Sequence, residues 1–184
     1  PYPFHVLTKM LPCLCLAGAC LQQLTGRTRL LMTGALVLSA LADGAITVRF
    51  ELGLAIFLLV QLTYCVVFSQ RRVAWRQRWE RLLPVVLFLL AALALLAPRA
   101  GPLAVPVAVY MAAIGAMVML AAVYRGSLLV LVGALSFMLS DTVIGVNRFW
   151  LSWEFADPVI MTTYYAGQVM IVLGVIRTES GGSG

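Results

Sequence analysis

The stretch SLLVLVGALSFMLSDTVIGV, residues 127–146, holds one ionisable side chain, Asp141, in twenty consecutive positions. At ~1.5 Å per residue, a helix of about twenty residues crosses the ~30 Å hydrocarbon core of a bilayer, whereas open sheets cannot sit in lipid. The stretch therefore predicts a membrane-spanning helix. Six runs of the same kind flank it, at about 5–23, 30–48, 52–69, 82–97, 103–124 and 158–176. Short breaks separate them. Pro98 and Pro102 bracket the turn that stops the fourth run. The loop from Asn147 to Asp157 carries Trp150 and Trp153, which suit a membrane interface. The predicted fold class is all-α, a polytopic transmembrane bundle with seven visible spans.

The rest of the chain has the same character. Of its 184 residues 62% are apolar and 11% charged, with a mean hydropathy of +1.00. Soluble domains are nearer half apolar and a quarter charged. This excludes a water-soluble globule, a disordered chain and a disulfide-laced secreted module, and leaves no length for a separate soluble domain. Residues 1–180 read as one domain and residues 181–184 as an appended linker. The chain begins with Pro1, so an N-terminal piece is expected to lie outside it. No internal repeat is visible. Cys13, Cys15, Cys20 and Cys65 all fall inside apolar runs and read as small hydrophobes. With a single His, His5, no Cys/His metal site is expected.

The net charge of +6 would suggest nucleic acid in a soluble protein. Here the basic residues lie mostly between spans, so no nucleic-acid partner is expected. Assigning the breaks to alternate faces puts Arg27, Arg29, Arg71, Arg72, Arg76, Arg78, Arg81, Arg125 and Arg177 on one side. The other side receives only Arg49, Arg99 and Arg148. The positive-inside rule then predicts a cytoplasmic C-terminus. The cluster between Arg71 and Arg81 reads as orientation and contact with anionic lipid.

Ionisable side chains within a span cost a few kcal/mol each and mark function by default. Lys9, Asp43 and Asp141 are such residues. Asp43 lies about five residues before the end of the second run, and Asp141 a similar distance before the end of the sixth. Lys9 is about one turn into the first run, which goes the opposite way, so all three are predicted at one level below the non-cytoplasmic surface. Tyr164, Tyr165 and Gln168 on the seventh run lie at a neighbouring depth, with Tyr164 and Gln168 on one face. Two buried carboxylates, an ammonium and two tyrosines can perform acid/base chemistry. The competing reading is a salt bridge that holds helices together. Ser39 lies one turn before Asp43, within reach of its carboxylate. Ser140 is next to Asp141 but points about 100° away. Gln61 and Tyr64 sit mid-span, where hydrogen-bonded helix packing is the expected role. Asn147, just after the sixth run, is a candidate substrate-binding or supporting residue. Arg148, seven residues after Asp141, shares its face if the helix continues, and would pair with Asp141 or hold an anionic head group. No soluble catalytic motif is present.

The segment from Gly133 to Asp141, continuing to Asn147-Arg148-Phe149, resembles the lysoplasmalogenase (YhhN-like) family, which includes the vertebrate transmembrane protein 86 group. Met161 to Gln168 looks like the family's closing motif, Lys9-Met10-Leu11-Pro12 its Lys-x-x-Pro start, and Gly34 to Asp43 its Asp-bearing helix. The likeness spans nearly the whole chain. The chain differs from the family's usual pattern at Ala42, often Gly, and at Gln61, often His. The family usually has eight helices, so the resemblance implies that a first helix is missing here. It also implies hydrolysis of the vinyl ether bond of lysoplasmalogens, to a fatty aldehyde and glycerophosphoethanolamine or glycerophosphocholine. Neither metal nor cofactor is called for. Asp43 and Asp141 would be the acid and the cation-stabilising carboxylate, in an order left open. Lys9 or Arg148 would hold the phosphate, and Tyr164 and Tyr165 would orient the ether oxygen or water. The expected partners are a lysophospholipid substrate and bilayer lipid, with a homodimer left open. The expected location is the endoplasmic reticulum membrane in a eukaryote or the inner membrane in a bacterium. A proton-coupled transporter and a retinal-type seven-helix protein, for which Lys9 is the only lysine, are the alternatives.

Overall fold

The computed structural model describes residues 5–181. Seven helices follow the seven apolar runs: α1 (His5–Gln23), α2 (Gly26–Val48), α3 (Phe50–Ser69), α4 (Trp79–Leu96), α5 (Ala104–Val123), α6 (Leu128–Phe149) and α7 (Ala156–Ser180). Each is long and apolar enough to cross a membrane. No strand occurs among the described residues, apart from one antiparallel bridge between Arg72 and Tyr124. Residues 182–184, most of the expected linker, lie outside the described residues.

Several helices overrun the hydropathy boundaries. α2 starts at Gly26, whose φ of +56° makes the turn out of α1. α6 continues through Asn147 and Arg148 to Phe149, so these two residues are helical. α7 runs on to Ser180. Polar residues end an apolar run, but they do not end the i→i−4 hydrogen-bond ladder at a wet interface.

Lipid tails are as apolar as leucine, so helices in a membrane associate through close fit and polar contacts. The α6–α7 pair shows both. A Cβ placed on Gly133 would lie 2.7 Å from the Gly167 carbonyl oxygen, and one on Gly167 would lie 2.8 Å from that of Gly133. Ser136 donates to the Thr163 carbonyl at 2.7 Å and Ser140 to the Ile160 carbonyl at 3.1 Å. Gly53 of α3 takes the Ile46 side chain of α2 in the same way. α4 sits at the edge of the bundle, with Leu89 seated against Gly115 of α5 and Leu96 against Gly145 of α6.

The basic loop before α4 is also a staple. The Arg78 guanidinium donates to the Ala122 and Tyr124 carbonyls at 3.2 and 3.1 Å, satisfying groups that the end of α5 leaves open. Arg71 pairs with Glu179 at 3.3 Å, joining this loop to the end of α7.

Candidate active site

α2 and α6 bring Asp43 and Asp141 to the wall of one cavity of about 340 Å³. Lys9, Asn147, Arg148 and Asp157 supply its polar rim, and Phe50, Phe57 and Tyr164 are among its aromatic walls. Ser140 also lines it, although its hydroxyl is committed to Ile160. The level match expected of Lys9, Asp43, Asp141 and Tyr164 thus corresponds to one shared space. The depths are not equal. Asp43 lies five residues before the end of α2 at Val48, and Asp141 eight residues before the end of α6 at Phe149. At ~1.5 Å per residue, Asp141 is about one turn further in from its helix end.

Asp43 is buried and held by two donors on one oxygen. The Tyr164 hydroxyl donates to Oδ2 at 3.1 Å, and the Cys13 thiol donates to the same atom at 3.6 Å. The Tyr164 ring is fixed by edge-on contacts with Phe57 and Phe137, at 5.8 and 5.2 Å between centroids. These quadrupole-favoured contacts aim its hydroxyl at the carboxylate.

Asp141 is held by a residue that sequence reading missed. The hydroxyl of Tyr110 on α5 makes a short hydrogen bond to its Oδ2, and Tyr110 in turn accepts from Gln61 Nε2 at 3.3 Å. Tyr110 is the one tyrosine inside α5, a lone hydroxyl in an otherwise apolar span, and that was the available signal. Gln61 takes its expected part in helix packing, with its Oε1 buried and unpartnered among the described residues. Cys13, read as a small hydrophobe, is instead a polar neighbour of Asp43, 3.3 Å from the Tyr164 hydroxyl.

Two sequence expectations are corrected, at Ser39 and Tyr165, and of the two partners open to Arg148 the carboxylate is not the one it meets. Ser39 does not bond Asp43. It donates to the Ala35 carbonyl one turn back at 2.9 Å, a common use of a helical serine, and accepts from Gln168 Nε2 at 3.1 Å. Gln168 also accepts from the Tyr64 hydroxyl at 2.5 Å. Tyr64, Gln168 and Ser39 therefore form a buried chain joining α3, α7 and α2, away from the cavity wall. Tyr165 does not face the cavity either, because its hydroxyl donates to the Lys9 carbonyl at 2.8 Å and ties α7 to α1. Asn147 accepts from the Trp153 backbone N–H at 3.1 Å, which shapes the loop into α7. Arg148 does not pair with Asp141. Its guanidinium lies 4.8 Å over the Phe50 ring at the rim, while the Asp141 carboxyl turns inward to Tyr110.

Against the cavity lies a narrow apolar slot of about 50 Å³. Ile46, Phe50, Phe57, Asp141 and Ile144 line both spaces. Beyond them the slot is walled by Leu89, Leu96, Met111, Ile114 and Met138 from α4, α5 and α6. Among the described residues no group of three or more His, Cys, Asp and Glu is placed to hold a metal ion.

Seven helices long and apolar enough to span a bilayer, around a polar cavity with two carboxylates on its wall, define an integral membrane protein. The chain belongs to the YhhN family, whose model matches residues 4–175. It is 34% identical over 184 residues to Lysoplasmalogenase TMEM86B of Homo sapiens, covering 95% of this chain and 76% of that protein. It is 34% identical over 171 residues to Lysoplasmalogenase of Mycobacterium tuberculosis, covering 86% of this chain and 65% of the relative. Lysoplasmalogenase TMEM86A of Bos taurus is 29% identical over 157 residues, covering 78% and 64%. No solved structure matches the chain.

Proposed function

We propose that this chain is a membrane enzyme that hydrolyses the vinyl ether bond of lysoplasmalogens, releasing a fatty aldehyde and a glycerophospho head group. The observation that carries the reading is the shared cavity of Asp43 and Asp141, polar at its rim and sharing a wall with an apolar slot. The relatives' common name, lysoplasmalogenase, supports it. A lysophospholipid has the matching polarity. Its zwitterionic head fits a rim that offers Lys9 and Arg148 to phosphate and Asp157 to an ammonium. The first carbons of its single chain match the apolar lining of the slot.

The chemistry needs what the site holds. A vinyl ether is cleaved by protonating its β-carbon, which leaves an oxocarbenium ion across the neighbouring carbon and the oxygen. Water captures that ion, and the hemiacetal collapses to aldehyde and alcohol. One carboxyl delivers the proton; the other stabilises the cation and accepts a proton from water, a division worth roughly 10²–10⁴-fold for each positioned acid or base. The nine-to-three division of loop arginines supports a cytoplasmic C-terminus, with the cavity opening to the other side.

The test is aldehyde release from lysoplasmenylethanolamine by purified protein in nanodiscs. The expected result is turnover that falls by at least about 100-fold in Asp43→Asn and in Asp141→Asn, each folded like the parent. Full turnover in both variants would refute the mechanism.

A further inference from the structure

The geometry points to a division of labour between the two carboxylates. We propose that Asp141 delivers the proton to the β-carbon, while Asp43 stabilises the cation and takes the proton from water. The assignment rests on the vinyl ether reading above and is argued from which spaces each residue lines.

Asp43 lines the polar cavity alone, whereas Asp141 lines both the cavity and the slot. The substrate has one direction in which it can lie. Its head group must meet the rim of Lys9, Arg148 and Asp157, because hydrocarbon laid against those charges would strip them of water. The carbons that follow the vinyl ether must lie on the slot side, where the unbranched Met111 and Met138 can repack to widen the space of about 50 Å³. In an O–CH=CH–R unit the β-carbon is one atom nearer the tail than the ether carbon. Placed head to cavity and tail to slot, the β-carbon lies on the slot side, where Asp141 is the only carboxyl among the described residues. The ether carbon and the attacking water lie on the cavity side, with Asp43.

The slot adds a second observation. Its other hydroxyl-bearing walls are spent, since Tyr110 donates to Asp141 and Thr142 donates to the Met138 carbonyl. The Tyr110 bond occupies Oδ2 of Asp141, leaving Oδ1 to carry the transferable proton, so Tyr110 is a positioning residue. Asp43 accepts from both Tyr164 and Cys13 and shares its cavity with Lys9, surroundings that suit a carboxylate.

The cycle balances. The π pair of the double bond takes the Asp141 proton and becomes the new C–H bond. Water adds to the oxocarbenium carbon and gives its proton to Asp43. In the collapse Asp43 protonates the departing ether oxygen, the C–O bond breaks, and the hemiacetal hydroxyl proton returns to Asp141. Both residues end as they began.

The test follows hydrogen exchange at the β-carbon. Each variant is incubated with lysoplasmenylethanolamine in D₂O, and the unreacted substrate is recovered and examined by mass spectrometry and NMR. Wild type must release aldehyde carrying one deuterium beside the carbonyl; if it releases none, the vinyl ether reading fails before this assignment is reached. Asp43→Asn keeps the acid but slows capture, so its recovered substrate is expected to gain deuterium at the β-carbon. Asp141→Asn is expected to show neither exchange nor turnover. Exchange with Asp141→Asn, exchange with both variants, or exchange with neither overturns the assignment. Folding is checked by gel filtration and by stabilisation with the saturated alkyl ether analogue. Asp141→Ser and Asp43→Ser replace any amide variant that misfolds, with the same outcomes.

Discussion

Tyr164→Phe isolates one hydrogen bond. The substitution removes the hydroxyl that donates to Asp43 Oδ2 at 3.1 Å and keeps the ring that Phe57 and Phe137 hold. A hydrogen bond to a charged acceptor contributes roughly 1.5–3 kcal/mol. Cys13 remains on the same oxygen as a weaker donor, which places the loss at the lower end of that range. At about 1.4 kcal/mol per decade, a loss of about 1.5–2 kcal/mol is a drop of about 10–30-fold. The drop should fall on kcat, because the bond steadies a carboxylate whose charge matters most when the cation forms. Stability should change little, since Asp43 keeps the Cys13 thiol as a donor and stays on the cavity wall. The assay is aldehyde release at saturating substrate for Tyr164→Phe, Asp43→Asn and the double variant. If Tyr164 acts through Asp43, adding Tyr164→Phe to Asp43→Asn should cost less than about 2-fold, a clear failure of additivity. Equal losses in both backgrounds would show that Tyr164 works independently and would refute the reasoning.

Gly167→Ala puts a Cβ 2.8 Å from the Gly133 carbonyl oxygen and 3.0 Å from the Phe137 nitrogen, where both neighbours are backbone. It should destabilise the α6–α7 pair by about 1–3 kcal/mol, whereas Gly34→Ala, which meets nothing within 4 Å, should be neutral or stabilising. Thermal unfolding in detergent compares the two directly. Gln168→Leu orphans the buried Tyr64 hydroxyl at a cost of roughly 1–3 kcal/mol, but should leave turnover per folded molecule close to wild type because Gln168 is outside the cavity wall. Arg148→Ala should raise KM for the charged lysophospholipid with little change in kcat, since its guanidinium stands at the rim rather than beside the carboxylates. A fall confined to kcat would place it in the chemical step instead.

Much of the site could be read from sequence because membrane spans make polar residues conspicuous. In a chain with 11% charge, Lys9, Asp43 and Asp141 stand out inside apolar runs, and counting residues from span ends gave their approximate level. The same filter hid Tyr110 and Cys13. Tyrosine and cysteine count as apolar, so neither disturbs a hydropathy pattern, yet each donates to one of the two carboxylates. Counting also misjudged depth, because α6 carries its ladder three residues past the apolar run.

The sequence by itself determined seven spanning helices, the family resemblance and the carboxylate pair, because burial in lipid forces apolar runs of fixed length and penalises every unneeded charge. Only the tertiary structure decided how the polar groups are shared out. Whether Ser39 meets Asp43 or Gln168, and whether Arg148 meets Asp141 or Phe50, depends on helix rotation and close approach, which Gly133, Gly167 and Gly53 set between helices. Rotation also sets Asp141, alone of the two carboxylates, on the wall of both the polar cavity and the apolar slot. Sequence periodicity gives an angle about one helix axis; which neighbour stands at that angle is a property of the packed bundle.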